Sequence, residues 1–399
     1  MKSLKSFFTE YLLLNLFIFG CVSLISLVVL NISFFDPFTQ AFRDFTLTDL
    51  YYSKVKDRNE IYKGPVVLVN IENKNRQEIA FILQQIETGN PKVVALDFLL
   101  KKQHSPQDSI LKQVFDENKN IVFNFIADFD DEKQNEYNDS FFTTLAVGYS
   151  NLVSENIEYS TIRNYYPFYH NHEAFTSTII KKYDSTIYTD LLKWKNKKIE
   201  IHYTGNLSNF TYYTFNEVTN PDFNPVVFEN KIILLGYFGL DDSKAGNLRL
   251  DEDKFFTPLN HQFSGRSYPD MYGVVIHANI LRMILEHNFI RVVPTWLVIL
   301  ISFIILWFIL PLMCGLFFKG DIWFNTTGTL LQLVGSILAV FFCVLIYRHF
   351  NTKFDPGFLL TCLVLLPTFI NLYEALLVFL RHKIKLPVQS AFLEKGSHD

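Results

Sequence analysis

Pro65–Ile71 reads PVVLVNI, residues 76–89 read RQEIAFILQQIETG, and Lys92–Phe98 reads KVVALDF. The first stretch is a short Val-rich apolar run, as a strand buried on both faces requires. In the second, Ile79, Ile82, Leu83 and Ile86 recur at helical spacing and Gly89 follows as a stop. The third is another strand. Outward from this core the alternation continues. Asp108 to Phe115 predicts a helix with Asp108 as N-cap and Ile110, Leu111, Val114 and Phe115 on one face. IVFNFIA (Ile121–Ala127) is a third strand. Strands alternating with helices at this spacing imply crossover connections and a mostly parallel sheet, an α/β domain. Further strands are predicted at VGYSNLV (Val147–Val153), KIEIHYTG (Lys198–Gly205) and KIILLGYFG (Lys231–Gly239). A closing helix starts near Gly273 (GVVIHANILRMILEH) and leads through Val293-Pro294 into an apolar block. AFRDFTLTDLYYSKVKDRNE (41–60) is a charged lead-in, and Asp128 to Ser140 is a solvated, turn-rich loop.

Apolar blocks flank this domain. Four stretches have the roughly 20 apolar residues that a helix needs to cross a bilayer. They are residues 11–32, 295–318, 327–347 and 357–380, and only the last carries a charge, Glu374. The first is too long for a signal-peptide core and lacks a small-residue cleavage site, so it reads as an anchor. Cys21 follows Phe19-Gly20, but Phe19 is bulky for a lipoprotein site and the apolar run continues past it. Lys2 and Lys5 precede the first span, Lys319 lies between the second and third, and Arg381, Lys383 and Lys385 follow the fourth. Against Arg348 and Lys353 on the other side, this bias places residues 1–10 and 381–399 in the cytoplasm and 33–292 outside or in the periplasm of a bacterial inner membrane.

Composition agrees with a polar domain set between apolar blocks. The mean hydropathy is +0.14 although 19% of residues are charged. The net charge of −4 gives no basic excess for nucleic acid. The 41 Phe and 20 Tyr beside 4 Trp fit AT-rich coding bias rather than a ligand cage. Cys21, Cys314, Cys343 and Cys362 all lie in the apolar blocks, which leaves the polar domain without a disulfide or a thiolate metal site.

Several segments together resemble the second type of CHASE domain, the extracellular sensory modules associated with bacterial cyclases and histidine kinases. PVVLVNIEN, a helix and KVVALDF resemble the family's opening strand–helix–strand with its strand-terminal Asp97. VGYSNLVSENIEYSTIR resembles its G-x-x-N…R segment, with Gly148, Asn151 and Arg163. FENKIILLGYFG and DKFFTPLN resemble its late strand and D-x-x-x-T-P turn, with Gly236, Asp253, Thr257 and Pro258. MYGVVIHANILRMIL resembles its closing helix, with Gly273, His277 and Asn279. The layout of one span, the domain and three spans agrees as well. Two departures stand out. Residues 154–158 replace the family's Asp-rich turn. Members also continue into a cytoplasmic output domain, whereas only 381–399 follow the fourth span here, which implies action through a cytoplasmic or membrane effector protein. The resemblance also implies a homodimer.

The candidate ligand-binding residues are Asp97, Asn151, Arg163, Asp253 and His277, each with a plainer alternative. Asp97 ends a strand, where open α/β sheets bind ligands, but a carboxylate also caps loops there. Asp253, Thr257 and Pro258 suit a turn. His277 could sense pH or serve as a helix-start hydrogen-bond partner. Arg163 could hold an anionic ligand or an internal ion pair. In the fourth span Pro367, Asn371, Glu374 and Val378 share one helical stripe, with Asn371 and Glu374 as candidates for signal coupling or for helix-packing glue. The histidines show no metal spacing, and GYFGLDD lacks the Lys-Ser/Thr of a phosphate loop. No nucleophile–base constellation, cofactor or metal is indicated. The expected function is a membrane-anchored extracytoplasmic sensor or scaffold. The alternatives are a subunit of a MacB-like exporter, which shares the span layout, and a structural subunit of an envelope complex.

Overall fold

The computed structural model describes residues 4–31, 51–52, 61–101, 105–142, 146–152, 161–239, 253–260, 268–387 and 390–395. The lead-in at 41–60 apart from Tyr51 and Tyr52, the turn at 154–158 and residues 240–242 of GYFGLDD lie outside them. Two compact units divide the chain: Asp49–Ile290, and Met1–Thr48 with Arg291–Asp399.

Helix α1 (Leu4–Asn31) opens the chain. In the polar unit six strands, β1 (Val66–Asn70), β2 (Val93–Leu96), β3 (Ile121–Phe125), β4 (Val147–Tyr149), β5 (Thr211–Tyr213) and β6 (Ile232–Gly236), form one sheet in the order β4-β3-β2-β6-β1-β5. Every pairing in it is parallel. The α/β expectation therefore holds. The late strand β6 slots between the two opening strands, so β1 and β2 are not direct neighbours.

Helices α2 (Arg76–Thr88) and α3 (Pro106–Glu117) pack on one face. There Val67, Val69, Val94, Leu96, Phe123, Ile233 and Leu235 meet Ile82, Leu83 and Ile86 of α2 and Leu111, Val114 and Phe115 of α3 in a single apolar core. Helix α2 starts cleanly because the Asn75 side chain accepts from the Gln77 and Glu78 N–H groups while the Glu78 carboxylate accepts from Asn75 N–H. Helix α4 (Phe175–Tyr183) and the closing helix α5 (Gly273–Leu285) cover the other face.

Four details of the sequence reading change. Helix α3 starts at Pro106 with Ser105 as N-cap, so Asp108 is the third helical residue, where its carboxylate accepts from Ser105 N–H at 3.4 Å. That phase leaves Ile110 exposed. Gly89 keeps right-handed geometry after α2, and Asn90 takes the left-handed turn at φ 55°. Lys198–Gly205 contributes only Ile199–Glu200, paired with Asn164–Tyr165 outside the main sheet. Beyond that point the backbone turns to α5 instead: Thr204 and Gly205 N–H both donate to the Asn279 side chain, which donates back to Gly205 C=O. The sheet edge beside β1 goes to Thr211–Tyr213.

The apolar unit joins α1 to α6 (Thr295–Lys319), α7 (Asp321–Phe350) and α8 (Gly357–His382). Four stretches, Thr9–Leu27, Thr295–Lys319, Ile322–Phe350 and Gly357–His382, are long and apolar enough to span a membrane. Leu14 and Ile18 of α1 pack with Leu306, Leu310 and Met313 of α6 and Leu363, Leu366 and Ile370 of α8. Buried Asn15 donates to the Phe303 carbonyl at 3.1 Å, which gives its amide nitrogen a partner inside the bundle. After α8, Phe392 is buried against Phe317, Phe318 and Tyr373, and the Glu10 carboxylate accepts from Ser390 and from Ala391 N–H.

Candidate functional site at the carboxyl edge of the sheet

Parallel register aligns the ends of the strands. Asn70 lies opposite Gly236, and Asn124 opposite Gly148. Asp97 follows Leu96 between these pairs, its N–H donating to Leu235 C=O at 2.8 Å. Strand side chains alternate, so Asn70, Asp97 and Asn124 share the face covered by α4 and α5. One alternation earlier that face is apolar, with buried Leu68, Ala95, Val122 and Leu234. The row at the carboxyl ends is polar.

These polar groups have unequal partners. The Asn70 amide donates to Gly239 C=O at 2.7 Å and accepts from Phe238 and Glu72 N–H, tying the end of β1 to the loop after β6. The Asn124 amide donates to the Asp97 carboxylate at 3.3 Å and to the Ser150 hydroxyl at 3.2 Å, while its own oxygen, though buried, accepts nothing. Helix α5 delivers His277, whose Nε2 lies 4.0 Å from Asp97 Oδ1 with both side chains below a tenth exposed. Its Nδ1 is buried without a partner, and its ring meets Phe175 edge-on at 5.5 Å.

Asp253 completes the group from the solvent side. It is exposed and holds φ 62°, its carbonyl accepts from Gly273 N–H at 3.0 Å, and its carboxylate borders Gly273 at the start of α5. The following Lys254–Phe255 pairs with Met271–Tyr272, and Thr257 donates through its N–H and hydroxyl to the Asp270 carboxylate. Thr257 thus serves the turn.

Burial pushes the Asp97 carboxyl up to about 7, with the Asn124 hydrogen bond pulling weakly the other way. Burial lowers His277 to about 4, partly offset by the Ser150 backbone. Asp253 is raised by partial burial and then by the Asp97 charge, an effect that its contact with water screens. Low-dielectric surroundings disfavour both ions of the Asp97–His277 pair, and at 4.0 Å no direct hydrogen bond offsets that cost.

Of the sequence candidates, Asp97, Asp253 and His277 come together. Asn151 spends its amide on Ala127, accepting from its N–H at 2.8 Å and donating to its carbonyl at 2.9 Å. Arg163 accepts from Ile201 N–H through its carbonyl and acts electrostatically on the buried Tyr203 phenol. On α8, Asn371 is exposed and Glu374 half-buried, while Tyr373 and Leu377 face the bundle core. The sequence reading passed over Asn70 and Asn124. A polar residue near the end of an otherwise apolar strand was the available signal, because such a group is buried only at a cost.

A parallel α/β domain with one apolar helix before it in the chain and three after it, all long and apolar enough to cross a membrane, is the layout of a multi-pass membrane protein. The family model of the CHASE2 domain matches residues 20–313, and the chain belongs to that family. CHASE2 is an extracellular sensor domain rather than a catalytic one. No curated protein and no solved structure matches the chain.

Proposed function

We propose that the protein is a sensor of the bacterial inner membrane, with its α/β domain in the periplasm and both termini in the cytoplasm, that signals through an effector protein. The observation that carries this reading is the polar row at the sheet's carboxyl edge, closed by α5. Open parallel sheets bind ligands at this edge, where the strand order reverses. Here β6 enters between β1 and β2 at that point. Along the chain, α5 ends at Leu285 and α6 begins at Thr295, so the helix that covers the row is the last helix before the three C-terminal spans. A change in how α5 packs on the row is the signal passed on. Family membership supports the sensor over the export-subunit alternative.

Asn371, exposed at the middle of α8, supports a homodimer, since a polar amide in lipid gains from a partner helix.

The test uses the full chain. Cross-linking in native membranes followed by mass spectrometry is expected to recover a stoichiometric effector, and its absence counts against signalling through a partner. In lipid nanodiscs, exchange protection of α5 is expected to respond to at least one class of extracellular solute or ion. An unchanging α5 across such a screen counts against sensing.

A further inference from the structure

We infer that the buried Asp97–His277 pair, with Asn124 on the neighbouring strand and Asp253 at its solvent side, is a proton-binding switch that sets how tightly the closing helix packs on the sheet. This deepens the reading of the outer domain as a sensor by naming the proton as a signal, and it rests on that reading.

The argument begins with charge. The Asp97 carboxyl sits at the end of a central strand, and among the described residues no Lys or Arg is ion-paired with it or with Asp253. The nearest basic neighbour in sequence, Lys254, instead lies 4.8 Å over the Tyr272 ring. Farther along α5, Arg282 pairs with Glu286 and lies 4.9 Å over Tyr62. Among the described residues the other groups around the Asp97–His277 pair are uncharged: Asn124 from β3, Ser150 after β4, Gly236 from β6, Asn70 from β1, the Phe175 ring from α4 and Val274 from α5 itself. A carboxylate this enclosed, with no described cation paired to it, is relieved most simply by a proton.

The unpartnered acceptors point the same way. His277 Nδ1 and Asn124 Oδ1 are both buried without a donor. Amide oxygen and nitrogen can exchange by a flip. With Asp97 ionised, the Asn124 amide nitrogen faces it, as observed at 3.3 Å. With Asp97 protonated, a flipped Asn124 accepts the new O–H. The residue therefore has a hydrogen bond for either state, whereas His277 has a charge to meet only when Asp97 is ionised.

Burial sets the affinity. It lifts Asp97 to about 7 while holding His277 near 4, so the single proton of the pair resides on the carboxyl and leaves near neutral pH. Exposed Asp253, near enough to feel the Asp97 charge, is where the pair faces solvent. Loss of the proton places an anion beneath the first turns of α5 with one amide donor to hold it, and α5 loosens.

Hydrogen exchange of the full chain in nanodiscs, corrected for intrinsic rates and followed from about pH 5 to 9, tests this. Protection of α5 is expected to fall roughly tenfold as pH rises through neutrality. Asp97→Asn, neutral at every pH, is expected to keep α5 protected as pH rises through neutrality to about 9, and His277→Gln to retain the transition. Flat α5 protection in the wild type overturns the inference, as does a transition at the same midpoint in Asp97→Asn. Carbon-detected NMR of labelled Asp carboxyls gives a second measure on unaltered protein, with an Asp97 midpoint below about 5 counting against the switch. A chain whose α5 responds to a solute while staying flat with pH leaves the sensor reading in place and overturns the proton assignment alone.

Discussion

The two faces of the six-stranded sheet are built from the same strands yet to different standards. Under α2 and α3 the face is apolar from end to end, and α2 has a reciprocal cap at Asn75 and Glu78. Under α4 and α5 the face is apolar only until the strand ends, where Asn124 and His277 are buried with an acceptor unmet on each, beside an Asp97 side chain that is 9% exposed. Helix α5 also starts at Tyr272 without a side-chain cap hydrogen bond. One face supplies stability, and the other forgoes some of it at a single edge. Buried groups with strongly shifted protonation are a mark of functional sites. The difference also divides the expected effects of mutation.

The largest effect belongs to the apolar face. Phe123 is almost fully buried and meets Phe115 edge-on at 5.0 Å. Phe123→Ala is expected to cost about 3–5 kcal/mol, from lost transfer energy and the cavity left behind. Denaturant unfolding of the polar unit within the full chain measures it. A cost below about 1 kcal/mol would mean that the face collapses freely and is not the stabilising one.

On the polar face the sign reverses. Asp97 is raised from 3.8 to about 7, so the folded chain keeps a proton that the unfolded chain releases, and this contribution to stability is lost as pH rises from about 4 to 7. The full loss is on the order of 4 kcal/mol, an upper limit because the site can relax. His277 is lowered from 6.5 to about 4, so its contribution is present above pH 6.5 and is lost as pH falls through about 4. Between these limits the two slopes oppose each other. Asp97→Asn is expected to stabilise the protein by up to about 4 kcal/mol near pH 8 and to leave a stability that rises with pH from about 4 to 6.5. His277→Gln is expected to leave only the falling slope. Parallel pH–stability curves for both variants and wild type would remove the contrast between the faces.

How far the sequence foretold this contrast depended on how local the signals were. The Val-rich run at 66–69 and the helical spacing of Ile79, Ile82, Leu83 and Ile86 are local, and they suffice for the apolar face. Asp97 and His277 were found because a charge at a strand end and a histidine near a helix start are visible singly. Their meeting depends on a register in which β6 lies beside both β1 and β2, and on α5 returning over it. Thr211–Tyr213 was missed because a short, half-exposed edge strand has no apolar run to announce it. Lys198–Gly205 had the run, but tertiary hydrogen bonds to Asn279 took its backbone.

A smaller effect tests how closely the second layer is fitted at the edge. Gly148 lies directly under α4, where an added Cβ would fall 2.6 Å from Phe175 Cα and 2.8 Å from the Ala174 carbonyl. Both are backbone atoms and cannot rotate away. Gly148→Ala is expected to cost about 1–3 kcal/mol and to shift α4 outward, loosening the Phe175 contact with His277. A change in the Asp97 titration midpoint in this variant would tie α4 to the polar row, whereas an unchanged midpoint would confine the row to α5.

The smallest effect isolates the apolar face. Asn75→Ala removes the acceptor for the Gln77 and Glu78 N–H groups at the exposed start of α2, where water can partly replace it. The expected cost is about 1 kcal/mol. Asn75 and the polar row lie on elements packed against opposite faces of the sheet, so the energies of Asn75→Ala and Asp97→Asn should add. A double-mutant cycle read by denaturant unfolding checks this. An interaction energy above about 0.5 kcal/mol would mean that the sheet transmits strain between its faces. Additivity would mean that the polar edge can change state while the apolar face stays as it is, which is what a sensor domain needs if it is to switch without unfolding.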